Sequence, residues 1–356
     1  MILSQRPEEA DSLRANNLGL LRLLFAALVV VAHSPELIDG NRSREVLTRL
    51  FGTLSFGEVA VDGFFLISGY LITRSYLGAA SPGEYLVRRI LRIYPGFLVA
   101  SLVCIAVVAP LAGGVLTPSA WLKSLGRMAL LAPPEVPGAF AGLPYPLLNG
   151  SMWTISYEFG CYLLVVVLGV AGALKRPRVY LALLAGLGLL YALRGYVPVL
   201  GLSDSAGFRL ASLIRFAAVF CCGGAFYLLR HRIAYSARGA ALAALLLVPL
   251  LFSPTVAEPA LVLLGGYLVF WFAFAVPPGA VSLATNRLDP SYGLYLYAWP
   301  IQNLLVLHTP GLSPWSVTLV TLGLAGLLGI ASWLVVEAPV LRRGLRPARP
   351  SVSPAP

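Results

Sequence analysis

Apolar runs of about 20 residues recur along this chain, and a helix needs roughly that many apolar residues to cross a bilayer's hydrocarbon core. Ten such runs lie near residues 18–36, 58–77, 93–112, 153–173, 179–197, 210–230, 237–253, 256–276, 290–308 and 315–336. The fifth, seventh and ninth are the weakest, being short or broken by Pro300. A proline is tolerated inside a membrane helix when neighbours satisfy the carbonyl it frees. The chain is 58% hydrophobic and 12% charged, against about 25% charged in an ordinary soluble protein. A mean hydropathy of +0.82 is too high for one soluble core to hide. The expectation is an all-α, polytopic integral membrane bundle of about ten transmembrane helices. Residues 1–16 are polar, so the first run reads as a retained anchor rather than a cleavable signal.

Basic residues orient the bundle, because cytoplasmic loops hold most Lys and Arg. With the N-terminus inside and ten crossings, 17 of the 26 basic residues fall on the inner side and 7 on the outer. Both termini are therefore expected in the cytoplasm. The net charge of +11 follows from this bias and from anionic lipid on that face, so nucleic-acid binding is not needed. Residues 1–341 read as one transmembrane domain, and 342–356 (RRGLRPARPSVSPAP) as a disordered cytoplasmic tail. The longest outer loops are 37–57 and 113–152. The second is rich in Pro and Gly and is expected to pack irregularly over the bundle. Cys104, Cys161, Cys221 and Cys222 all fall within runs and read as packing residues. With no CxxC or His-rich pattern, no metal is implied. No internal repeat is evident, which weakens a reading as an inverted-repeat transporter.

The first run carries Arg22 and His33. Eleven residues at 100° each bring both side chains to one helix face, about 16 Å apart along the axis. Polar groups on one face mark an interior lining; the alternative is snorkelling at the two ends. Other runs carry matching groups. Glu58 and Asp62 are four apart and share a face near the outer end of the second run. Ser68 and Gly69 lie mid-span, where small residues suit close helix packing. Glu158 lies well inside the fourth run, either as a structural partner of Arg215 or Arg22 or as a functional carboxylate. Arg89 and Arg92, three apart on a helix entering the third run, serve either as positive-inside charge or as an anion site suited to phosphate oxygens. In the ninth run, Tyr292 and its aromatic neighbours suit packing or a substrate surface. Gln302 and Asn303 suit an acceptor groove or interfacial hydration. A buried His suits proton transfer near neutral pH.

Six segments in order resemble acyltransferase family 3, the membrane proteins that include O-antigen, exopolysaccharide and macrolide O-acyltransferases. They are the Arg22-to-His33 spacing, VDGFFLISGYLIT (61–73), RILRIYP (89–95), SMWTISYEF (151–159), SYGLYLYAWP (291–300) and EAPVLRR (337–343). The resemblance runs nearly end to end. It implies transfer of an acyl group, most often acetyl, from cytoplasmic acetyl-CoA or another acyl-CoA to a sugar hydroxyl on the far side of a cell's inner membrane. Carried over, His33 is the catalytic histidine and Arg22 its partner. Arg89 and Arg92 are the pair that holds coenzyme A phosphates, with Ser68 and Tyr70 as further donor contacts. Glu158 or Asp62 fixes the His33 tautomer. Trp153, Tyr292, Gln302 and Asn303 are the candidates for acceptor binding. Ala298 departs from the family, which often carries His there. A soluble-acyltransferase H-x-x-x-x-D pattern is also not met, because Asp39 falls one residue too far from His33. The expected partners are thus a carbohydrate or glycoconjugate acceptor and the lipid bilayer. The alternatives are a transporter of an acyl donor or lipid-linked sugar, and a non-catalytic scaffold for polysaccharide export.

Overall fold

The computed structural model describes residues 16–194 and 203–344. Among them every regular element is a helix and there is no strand. Seven helices are long and apolar enough to cross a membrane: α1 (Leu18–Asp39), α3 (Phe56–Leu77), α4 (Pro82–Leu111), α6 (Gly150–Val170), α8 (Asp204–Leu228), α10 (Ala257–Ala275) and α13 (Pro314–Arg343). The chain is a multi-pass membrane protein. Three further helices occupy the remaining apolar runs. Pro177–Ala192 (α7) and Ala237–Leu250 (α9) are apolar but short, and Ser291–His308 (α12) carries polar Gln302 and Asn303. Short helices α2 (Val46–Phe51), α5 (Pro118–Ala129) and α11 (Ala280–Arg287) lie in the connections. The last helix continues through Gly344, past the expected tail boundary at Leu341; residues 345–356 of that tail lie outside the described residues.

Local chemistry sets the helix ends. Ser55 and Glu58 form a reciprocal capping box at the start of α3, so Glu58 is partly used in starting the helix. Ser81, Thr117 and Ser313 each cap a helix whose first residue is proline. Gly40, at φ 72°, closes α1 in the left-handed region. Pro300 does not break α12. Its ring removes one intrahelical bond, and the Leu296 carbonyl instead accepts from Asn149 Nδ2 at 2.8 Å. The Tyr295 carbonyl accepts from Ser151 Oγ at 3.1 Å. Neighbouring side chains thus do what water does elsewhere.

Helix α1 is central, packed against α3, α12, α13 and α11. Its entry is tied down by Asn17 Nδ2, which donates to the carbonyls of Phe272 and Val276. Helices α3 and α8 cross backbone to backbone. A Cβ on Gly69 would stand 1.9 Å from the Phe220 carbonyl oxygen, and one on Gly223 would stand 2.0 Å from that of Leu66. Lipid offers no hydrophobic drive between helices, so such close contacts hold them together. Gly293 and Gly329 bring α12 and α13 equally close. All four cysteines are buried and unbridged.

Substituting Gly223→Leu forces this crossing apart, because the obstructing atoms are backbone. The expected result is a loss well above the roughly 1–3 kcal/mol typical of overpacking, read as a lower melting temperature in lipid nanodiscs. Gly186, inside α7 with no atom near its Cβ position, is the control: Gly186→Ala does not lower the melting temperature.

Candidate active site

One cavity of about 140 Å³ opens into the interior of the bundle. It gathers Arg22 from α1, Ser68 from α3, Arg89 and Arg92 from α4, Glu158 and Tyr162 from α6, and Tyr292 and Tyr295 from α12. Phe64, Phe65, Ile67 and Leu71 form the apolar side of its wall. Six of the residues singled out from the sequence therefore meet in one place: Arg22, Ser68, Arg89, Arg92, Glu158 and Tyr292.

The two arginines of RILRIYP are not equivalent. Arg92 donates to Asp289 Oδ2 at 2.6 Å and to Glu337 Oε2 at 2.8 Å. Arg22 shares the same Asp289 oxygen at 2.9 Å. Ser291 and Ser332 donate to the remaining oxygens of the two carboxylates, and the Arg92 guanidinium lies against the Tyr292 and Trp333 rings. A turn wound more loosely than the α-helix, Trp333–Glu337, carries Glu337 to this position. Arg89 has no such partner. It makes no ion pair among the described residues, its buried Nε has no hydrogen bond, and its nearest defined contact is the Tyr85 ring. Of the two, Arg89 is the guanidinium with capacity left for an anion.

Glu158 is paired with neither Arg215 nor Arg22. Its Oε1 accepts from Ser68 Oγ at 2.9 Å and from the Tyr162 hydroxyl at 2.7 Å. Tyr292 gives its hydroxyl to the Ile93 carbonyl and presents its ring to the cavity.

His33 sits near the C-terminal end of α1, half-buried, its ring edge-on to Trp299 at 4.9 Å. Trp299 is one helical turn past Tyr295, which lines the cavity wall on α12. Glu36, three residues on in the same helix, is the carboxylate that shares the His33 face. Asp62 stands elsewhere: it pairs with Arg215 at 2.9 Å, and Arg215 with Glu258 and Glu258 with Arg194 complete the chain.

Four other sequence candidates lie away from the cavity wall. Tyr70 packs among Tyr227, Phe270 and Phe274. Trp153 packs on Phe208 and Phe216. Gln302 and Asn303, expected near an outer groove, are fully buried. A buried amide must find partners. Gln302 donates to the Val30 carbonyl and Ser34 Oγ, and Asn303 to the carbonyls of Tyr145 and Leu147. Ala298 is buried. Sequence reasoning passed over Asp289, Glu337 and Glu36, although all three lie in or beside quoted segments. An acidic residue at the edge of an apolar run was the available signal.

Among the described residues, no group of three or more His, Cys, Asp or Glu side chains could hold a metal ion. The family described as an acyltransferase domain matches residues 16–336. An O-acetyl transferase of Shigella phage Sf6 is 25% identical over 93% of this chain and 97% of its own length. Nodulation protein 10 of Rhizobium leguminosarum bv. viciae is 28% identical over 94% of this chain and 95% of its own. Exopolysaccharide production protein ExoZ of Rhizobium meliloti is 29% identical over 82% of this chain and 91% of its own. No solved structure matches the chain.

Burial alone would push the Asp289 carboxyl up, but Arg22, Arg92 and Ser291 outweigh it and hold the group below the ordinary carboxylate value. A lowered folded-state value stabilises the fold above the ordinary value, and that contribution is lost as pH falls through the lowered one. Asp289→Asn strands two arginines and is expected to cost about 3–5 kcal/mol at neutral pH. The melting difference between wild type and this variant should shrink as the pH is taken below the carboxylate range. A difference that stays constant with pH would mean that ionisation of Asp289 is not what stabilises the cluster.

Proposed function

The chain belongs to acyltransferase family 3, and we propose that it moves an acetyl group from cytoplasmic acetyl-CoA to a hydroxyl of a carbohydrate or glycoconjugate on the extracytoplasmic side. The chain is an acyltransferase, and an acyl donor is its co-substrate. The printed name of the phage relative supports acetyl as the group moved. The name of the ExoZ relative supports a polysaccharide acceptor. Ten crossings of the inner membrane, with both termini cytoplasmic, fit the charge bias and the three further helices at the remaining apolar runs.

The single observation that best supports this reading is Arg89 without a carboxylate partner in a cavity whose other guanidiniums are neutralised. It suits a donor phosphate. Arg92 and Arg22 stay with their carboxylates and shape the cavity beside the donor; about 16 Å from His33 along α1, Arg22 does not reach the reacting carbonyl. The apolar wall and the Ser68–Glu158–Tyr162 group line the way outward for a pantetheine arm. In the transfer, His33 takes the proton from the acceptor hydroxyl and the hydroxyl oxygen attacks the thioester carbonyl. The carbon–sulfur bond breaks, and the departing thiolate takes the proton from His33. In a two-step form, His33 carries the acyl group itself.

Labelled acetyl-CoA supplied to the protein in nanodiscs tests this reading, with coenzyme A release as readout. His33→Ala should abolish release while leaving donor binding intact; release that persists would sink both forms. Arg89→Gln should raise the donor KM about tenfold or more with kcat little changed, in line with the loss of one charge-assisted contact. Arg92→Gln should instead lower stability, because it leaves Asp289 and Glu337 short of their partner.

A further inference from the structure

We infer that Glu36, Arg42 and Tyr145, on the outer side of His33, form the acceptor subsite and take a neutral sugar; the inference rests on His33 being the base. Glu36 is one turn past His33 on α1 and shares its face. Its Oε1 is reached by the Tyr145 hydroxyl at 3.2 Å and by Arg42 Nε at 3.3 Å. Arg42 reaches across to Glu58 at 3.4 Å. Tyr145 and Trp299 meet edge to face at 6.2 Å, and Trp299 meets His33. A carboxylate, a guanidinium fork and a phenol thus gather one turn beyond the histidine, with buried Trp299 packed behind them. These are the groups that recognise a sugar. The carboxylate accepts from its hydroxyls, the fork donates to them, and the half-buried Tyr145 ring covers a C–H face.

The contacts are built to be exchanged. In the inner cluster Arg22 and Arg92 hold carboxylates at 2.6–2.9 Å, whereas the outer contacts lie at 3.2–3.4 Å. Arg42 is 47% exposed, and exposed pairs of this kind contribute little, roughly 0–1 kcal/mol. Sugar hydroxyls can replace them at small cost. The frame behind them is rigid. Trp299 Nε1 donates to the Leu147 carbonyl at 3.1 Å, and buried Asn303 donates to the carbonyls of Tyr145 and Leu147. The Pro- and Gly-rich loop is thereby fixed over the bundle with Tyr145 facing Glu36.

Charge selects the class of sugar. Two carboxylates, Glu36 and Glu58, share one guanidinium, so a uronic acid would bring a third negative charge. The nearby Asp39–Arg44 pair closes on itself. Arg49 lines a separate groove with Leu50 and Trp315. Neither offers a compensating cation.

The test uses the protein in nanodiscs with labelled acetyl-CoA and four probes: the methyl glycosides of glucose, galactose, mannose and glucuronic acid. At least one neutral glycoside should stimulate coenzyme A release by wild type, and the glucuronide should not. Glu36→Gln and Arg42→Gln should raise the half-saturating concentration of that glycoside tenfold or more. Donor binding and melting temperature should stay at wild-type values. Tyr145→Phe, which keeps the ring, should shift it less. The inference is overturned by equal stimulation with the glucuronide, by no stimulation with any neutral glycoside, or by unchanged saturation in the Glu36 and Arg42 variants. Loss of donor binding in step with acceptor saturation overturns it too. If His33→Ala leaves stimulated release intact, the reading of His33 fails, and the subsite fails with it. Saturation unchanged in Glu36→Gln, with release abolished in His33→Ala, sinks the subsite alone.

Discussion

One end of this helix bundle depends on one carboxylate between two guanidiniums. Asp289 holds Arg22 and Arg92 at 2.9 and 2.6 Å, and Glu337 completes the set from the last helix. Removing charges from water is costly unless each finds partners. The partners here come from α1, α4, the connection before α12, and α13. Satisfying the charges therefore requires those four segments to meet. The same cluster separates two arginines that look alike in sequence. Arg92 is committed to carboxylates, and Arg89, three residues earlier, is not.

Polar side chains do comparable work higher in the bundle. Asn149 and Ser151 bond the carbonyls one turn before Pro300, and Gln302 joins α12 to α1 through Val30 and Ser34. Thr318 adds α13 to that same serine. These bonds surround the helix that carries Tyr295 toward the inner cavity and Trp299 toward His33. The same polar groups that hold the bundle together thus align its two ends. Glycines at the α12–α13 crossing bring those two backbones close together.

Much of this was legible in the chain. Bilayer thickness sets the length of an apolar helix, so the runs marked helices and their order. Caps such as Ser55 with Glu58, and prolines after Ser81, Thr117 and Ser313, encoded the starts. Helical periodicity put Arg22 and His33 on one face. Local rules reach no further than a few turns, and what covers each residue lies beyond them. Gln302 and Asn303 read as groove residues because an isolated helix cannot say what covers it. Tyr70 and Trp153 read as site residues on motif position, and both pack among aromatic rings away from the cavity.

The sequence by itself determined that this chain is a helical membrane protein, where its apolar runs lie, and which polar residues it carries at a cost in lipid. Periodicity and transfer energies act residue by residue, so they can be read in one dimension. Only the tertiary structure decided the pairing of those residues. Asp289 and Arg92 are 197 positions apart, and Arg92 and Glu337 are 245 apart. A buried charge accepts whichever opposite charge the packing delivers, and packing is a property of the whole bundle. The same packing joined Asp62 to Arg215 and left Glu36 as the carboxylate beside His33.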